Sequence, residues 1–196
     1  MLPERRIYYP YKLLSKSVIF PFTDEDIKNH LRIDCFEEQK NYIYLLVKAT
    51  LDQAETYMGI DILIKEYLSY RDNLDLIQLR KTPFNELVSF KYLKDSVFTS
   101  VDSNLYKIVL KDDFANFELL EDKTWPDDID NTSENVEIIF KSGYGEDRNA
   151  YPPGLDVALL QHLAFLYENR GDCINVKYAI PLQAKVIYDL YSIKHL

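Results

Sequence analysis

Glycine is scarce in this chain, with five residues in 196, and there are three histidines, two cysteines and one tryptophan. Each shortage excludes something. Gly143 and Gly145 in "SGYGED" follow an apolar strand-like run, but no Lys-Ser/Thr ending follows them, so they read as turn residues and not as a phosphate-binding loop. His30, His162 and His195 form no H-x-x-x-H pair and belong to no nucleophile motif. His30 lies near Asp34 and Cys35, a grouping that chance at a helix end explains better than a metal site. His162, inside an apolar run, reads as a hydrogen-bonded core or interface residue. Cys35 and Cys173 are isolated in sequence, which fits reduced thiols and shows neither a disulfide framework nor zinc spacing. No apolar stretch approaches the roughly 20 residues that span a bilayer, so no membrane role is expected. The N-terminal segment has neither a continuous apolar stretch nor a small-residue cleavage site, so it does not read as a signal peptide.

Acids outnumber bases. With 32 Asp and Glu against 23 Lys and Arg the net charge is −9, which opposes a free-standing nucleic-acid binder. The imbalance is local. Arg5, Arg6, Lys12 and Lys16 make the N-terminal segment basic, whereas acids dominate from Asp112 to Asp147. Such a run is ordinarily a solvated face. The paired carboxylates Asp112-Asp113, Glu121-Asp122 and Asp127-Asp128 fall in or near turns, with no apolar pocket around them to raise a pKa, so no catalytic residues are assigned. Tyrosine, by contrast, is abundant at sixteen residues. Biased codon usage accounts for that, and so does an extensive protein interface.

Hydrophobic spacing gives the elements. "TDEDIKNHLRID" opens a first helix, with Thr23 as N-cap and Asp26 at capping-box distance. A second helix runs from about Phe36 to Met58, with Ile43, Leu46, Val47, Leu51, Ala54, Tyr57 and Met58 on one stripe and Gly59 at the C-cap. "DILIKEYLSYRD", "LDLIQL", "ELVSFKYLKD", "LYKIVL" and "VEIIFKSGY" then read as strands. "RDN", "KTPFN", "KDSVFTSVDSN" and "WPDDIDNTSEN" separate them as turns. A third helix starts at Pro152-Pro153 and is apolar on nearly every side, with Gly171 as its expected cap. It needs cover from more than one direction, supplied by the sheet or by a neighbouring subunit. A fourth helix spans about Pro181 to His195. The expected class is α+β: about four helices with an antiparallel β region, roughly 62–142, inserted between the second and third. The expected division is an N-terminal arm over 1–22 and a single domain over 23–196.

The order "TDEDIKNHLRID", "KATLDQAETYMG", "LRKTPFNELVSFKYLKD", "TWP", "VEIIFKSGYG" and "YPPGLDVALLQHLAFLYENRGD" resembles the head–tail connector, or adaptor, proteins of long-tailed bacteriophages, prophages and gene-transfer agents. The resemblance covers roughly residues 20–192. It implies a structural protein of the virion neck, assembled in the bacterial cytoplasm, that docks as a ring on the portal and extends the DNA channel. The implied partners are the portal, neighbouring subunits, the next neck or tail protein, and DNA passing without sequence-specific binding. It implies no catalytic residue, metal or cofactor. Arg32 of "HLRID" and Tyr167, Glu168 and Arg170 of "YENR" are the candidate subunit or portal contacts, and Arg170→Ala is expected to impair packing or assembly. Ile60 departs from the family, which often has a basic residue after the "AETYMG" glycine, and the N-terminal segment and the acids around Trp125-Pro126 are individual to this chain. The acidic run suits either an exterior loop or a channel lining that repels DNA phosphates. A small protein-binding or regulatory α+β module is the alternative, and an unrecognised enzyme a more distant one.

Overall fold

The structure, a computed structural model, describes residues 10–111, 113–146, 150–169 and 180–193. Among the described residues there are four helices and two antiparallel sheets, with most of the β region between the second and third helices, an α+β architecture. The chain forms two compact units. One comprises the chain up to Ser17 with Ile64–Gly143, and the other Val18–Leu63 with the chain from Tyr144 onward.

In the helical unit, α1 (Asp24–Leu31) begins with a complete capping box. The Asp26 N–H donates to Thr23 Oγ1 at 3.2 Å, and the Thr23 N–H donates to Asp26 Oδ2 at 2.8 Å. Two of the amide groups that a helix start leaves unbonded are thereby satisfied. The long α2 (Phe36–Met58) ends at Gly59, whose φ of 73° gives the left-handed cap that glycine adopts without strain. Then α3 (Pro153–Glu168) starts with Pro153 in its first turn, and α4 (Leu182–Tyr191) follows Pro181. The third helix ends earlier than its sequence suggests. Asn169 is the cap, its side-chain amide and its N–H both donating to the Phe165 carbonyl, at 2.8 and 3.1 Å. Gly171 lies outside the described residues. Ile27, Ile43, Val47, Leu51, Met58, Leu155, Leu159 and Leu163 form a single core.

The β unit holds two sheets. Its strands are β1 (Tyr11–Lys16), β2 (Lys65–Arg71), β3 (Gln78–Leu79), β4 (Phe84–Lys94), β5 (Val97–Ser100), β6 (Tyr106–Lys111), β7 (Phe114–Leu119) and β8 (Val136–Ser142). The larger sheet has the order β1-β2-β8-β4-β5 and the smaller β3-β7-β6. β8 buries every second residue, Val136, Ile138, Phe140 and Ser142, as a central strand should. Tyr67, Phe90, Phe117, Ile138 and Phe140 are at the centre of the core. Phe90 meets Phe117 edge-on at 4.9 Å, the preferred geometry for aromatic pairs.

Three strands differ from the sequence reading. β1 lies within the segment read as an arm, pairing Tyr11 with Ser69 and Leu13 with Tyr67. Its anchor is Tyr11, whose ring packs edge-on against Tyr67 and Phe140 and whose hydroxyl accepts from the Arg80 N–H at 2.8 Å. β5 falls in a stretch read as a turn, and β7 in the acidic run. All three are short, of four to six residues, and each is fixed by its pairing across the ladder.

Candidate assembly surface

Among the described residues, no group of three or more His, Cys, Asp and Glu side chains is placed to hold a metal ion. No described helix is long and apolar enough to cross a membrane. His30, Asp34 and Cys35 are all exposed. An open concavity of about 560 Å³ is lined by Asp24, Glu25, Cys35, Phe36, Glu37 and neighbours. Asp24 and Glu25 occupy the first turn of α1 and Glu37 and Glu38 that of α2, where the positive end of each helix dipole favours them. Asp24 also receives Lys40 Nζ at 2.7 Å and the Tyr44 hydroxyl at 2.6 Å, and these two bonds hold its carboxyl below the usual range.

Several buried polar groups fasten elements of the helical unit to one another. His162 is fully buried, with Nδ1 3.3 Å from the Tyr188 hydroxyl and Nε2 3.2 Å from Gln53 Oε1. It is a hydrogen-bonded core histidine that ties α3 to α2 and α4. Burial raises the Tyr188 hydroxyl pKa well above its ordinary value. Glu55 is 7% exposed, and its Oε1 accepts from the N–H groups of Ile62 and Leu63 at 2.9 and 3.2 Å. The carboxylate thus holds the chain that leaves α2. Tyr151 donates to the Gly145 carbonyl at 2.8 Å, and burial, with Asp156, Glu55 and Glu146 nearby, pushes its pKa up to about 12. Sequence reasoning singled out neither Glu55 nor Tyr188. A lone Glu within a helical stripe, and a Tyr on an amphipathic helix, carry no signal until their neighbours are placed.

The contact residues expected from sequence are in different settings. Arg32 is the C-cap of α1, in the left-handed region at φ 52°, and is exposed. Tyr167 is half-buried and donates to Gln39 Oε1 at 3.1 Å, so its hydroxyl fastens α3 to α2. Glu168 is exposed at the end of α3. Arg170 lies outside the described residues.

The all-round apolar helix is covered on one face. Leu155, Ala158, Leu159, His162 and Leu163 are buried, Leu160 and Leu166 are half-buried, and Val157 is 48% exposed. On α4 the inward residues are Ala184 and Tyr188. Leu182, Val186 and Leu190, spaced four apart, make an outward stripe exposed at 72, 56 and 77%. An apolar line of this kind on a helix is the usual mark of a surface that meets another chain.

In the β unit part of the acidic run is engaged. Glu118 pairs with Lys111 and Lys107, and Asp128 with Lys94; in each case the lysine holds the carboxyl below its ordinary range. Asp130 accepts the N–H groups of Asp95 and Ser96 at 3.0 and 2.8 Å.

No protein-family model and no curated protein matches the chain in sequence. Solved structures do match. The chain is similar to one in the neck of an empty gene transfer agent particle computed with C6 symmetry, at 16% identity over 95% of this chain and 97% of that one, with a TM-score of 0.74. It is similar to one in the virion of a native gene transfer agent particle, at 18% identity over 95 and 96%, TM-score 0.72. It is also similar to one in the neck of a native gene transfer agent particle computed with C12 symmetry, at 17% identity over 94 and 97%, TM-score 0.68. Arrangement is retained where side chains are not, and over nearly its whole length this chain has the fold of a chain found in gene transfer agent particles.

Proposed function

We propose that the protein is a structural subunit of the neck of a phage-like particle. In this reading it is a head–tail connector that docks as a ring on the portal, extends the DNA channel and presents a platform to the next neck or tail protein. The observation that carries the proposal is the shared fold, which spans both chains almost completely and includes the β region as well as the helices. The outward stripe of α4 supports it, because an apolar line left open in one copy is covered when copies or partners assemble. The half-exposed sides of α3 ask for the same cover.

Arg32 and Glu168 are exposed charges suited to fixing register against a neighbour or the portal, and Arg170 is assigned to the same contact. Tyr167 positions that end of α3 through Gln39. The single-domain division with an N-terminal arm belongs to this proposal too, with the arm reaching a neighbour or the portal through Arg5 and Arg6. Passing DNA meets a chain of net charge −9, which opposes tight binding of the phosphate backbone whether or not the acidic run faces the channel.

The test is binding to the portal ring encoded in the same genome. Co-sedimentation of the chain with assembled portal is the expected result, and failure to bind overturns the connector assignment. Native mass in solution supplements this: a ring-sized species supports the reading directly.

A further inference from the structure

The loop between β2 and β3 presents one leucine in a way that folding alone does not reward. Leu76 is 97% exposed, and its φ of 52° is in the left-handed region. A side chain is disfavoured there, because its Cβ crowds the following carbonyl oxygen. Glycine escapes that cost, and Asn or Asp offsets it by hydrogen bonding locally. The other described non-glycine residues with positive φ are Arg32, Asp95, Ser96, Asp113, Asp122 and Glu134, all of them polar. Leu76 is the apolar exception. It combines a strained backbone with an apolar side chain that gains no burial in the single chain, a pairing that points to a role outside the fold.

The loop that carries it is pinned. Leu74 and Ile77, on either side, are buried in the core of the β unit. The Asp75 N–H donates to Asn73 Oδ1 at 3.0 Å, and the Glu134 N–H donates to Asp72 Oδ1 at 2.9 Å. The Phe117 N–H donates to the Ile77 carbonyl at 3.0 Å. A backbone ordered beforehand loses little entropy on binding, which suits a contact residue.

The surroundings of Leu76 say what it fits. Asp72, Asp75 and Glu134 are exposed in the same loop or bonded to it. An apolar knob ringed by carboxylates matches an apolar hollow rimmed by Lys or Arg, and is repelled by an acidic one. A second copy, at net charge −9, is a poor match. The portal is the other protein surface that the proposed function requires this chain to grip.

We infer that Leu76 is an anchor of the portal contact, entering an apolar hollow on the portal whose rim is basic. The inference rests on the proposed docking and names one residue that makes it.

The test is co-sedimentation of the full chain with assembled portal, alongside thermal melts and native mass. Leu76→Gly relieves the left-handed backbone and removes the side chain. It is expected to melt at or above the wild-type temperature and to bind portal about tenfold more weakly, the loss of one buried leucine. Leu76→Met keeps an apolar side chain of similar volume and should bind close to wild type. Asp75→Lys sets a base against the basic rim and should weaken binding with little change in melting temperature. Portal binding by Leu76→Gly equal to that of wild type overturns the inference and leaves the connector assignment standing. A lowered melting temperature for Leu76→Gly also overturns it, because Leu76 would then serve the fold. So does loss of a ring-sized species by Leu76→Gly without portal present, which would set Leu76 against a second copy. Tighter binding by Asp75→Lys overturns the basic rim. A wild-type chain that fails to bind portal overturns this inference and the connector assignment together.

Discussion

Single residues at the ends of elements do much of the local specification here. Thr23 and Asp26 satisfy each other's amides in the capping box that their spacing predicts, and Gly59 takes the left-handed cap expected of it. Glu55 is the contrasting case. Its carboxylate is buried and accepts two backbone N–H groups of the segment after α2, a role that appears only when that segment folds back on the helix. Glu55→Ala leaves those two buried donors unpaired and is expected to cost about 2–3 kcal/mol in chemical denaturation. Glu55→Gln keeps an acceptor, so it should cost clearly less, and equal losses would show that packing rather than hydrogen bonding is at stake. Asp24 gives a pH-dependent signature. Lys40 and then Tyr44 lower its folded pKa below 3.8, so its contribution is present above the unfolded pKa and is lost as pH falls through the folded value. Wild type should be more stable than Asp24→Asn at pH 7, modestly because the pair is solvent-exposed, and the difference should be smaller in acidic buffer, as pH falls through the lowered Asp24 pKa. Thermal melts at pH 7 and in acidic buffer check this.

Elements show what hydrophobic spacing does and does not reveal. The α2 stripe gave that helix its bounds, Phe36–Met58, because a long, regularly spaced run leaves few alternatives. The apolar residues of α3 and α4 could be counted but not divided into covered and open. On α4 the buried pair is Ala184 and Tyr188, whereas Val186 and Leu190, which look equally suited to a core, face outward. The division has measurable consequences. Leu159→Ala on α3 empties a fully buried site and is expected to cost about 2–5 kcal/mol, while Leu190→Ala should change stability little. Because the proposed function has α4 facing a partner, Leu190→Ala is expected to weaken assembly or portal binding instead, as read by co-sedimentation. A large stability loss from Leu190→Ala would mean that the stripe is internal. Among strands, β4 and β8 stood out by their alternation, whereas β1, β5 and β7 did not. Lysines, an exposed four-residue strand and an acidic neighbourhood masked them, and each is fixed by its partner across the ladder.

For the molecule as a whole, composition excluded more than it assigned: no metal spacing, phosphate loop or membrane span is written in the chain, and its charge opposes a free nucleic-acid binder. The sequence by itself determined the α+β class, the caps of α1 and α2, and the presence of a β region between two helical segments. These depend on residues near one another in the chain, where spacing and backbone preference act directly. Only the tertiary structure decided that the chain makes two compact units, that Tyr11–Lys16 completes a five-stranded sheet, and which apolar helix faces stay open. Those outcomes depend on pairings between distant segments, whose stability comes from burial and hydrogen bonding across the fold, and no local pattern records which partner a strand edge or a leucine stripe will find.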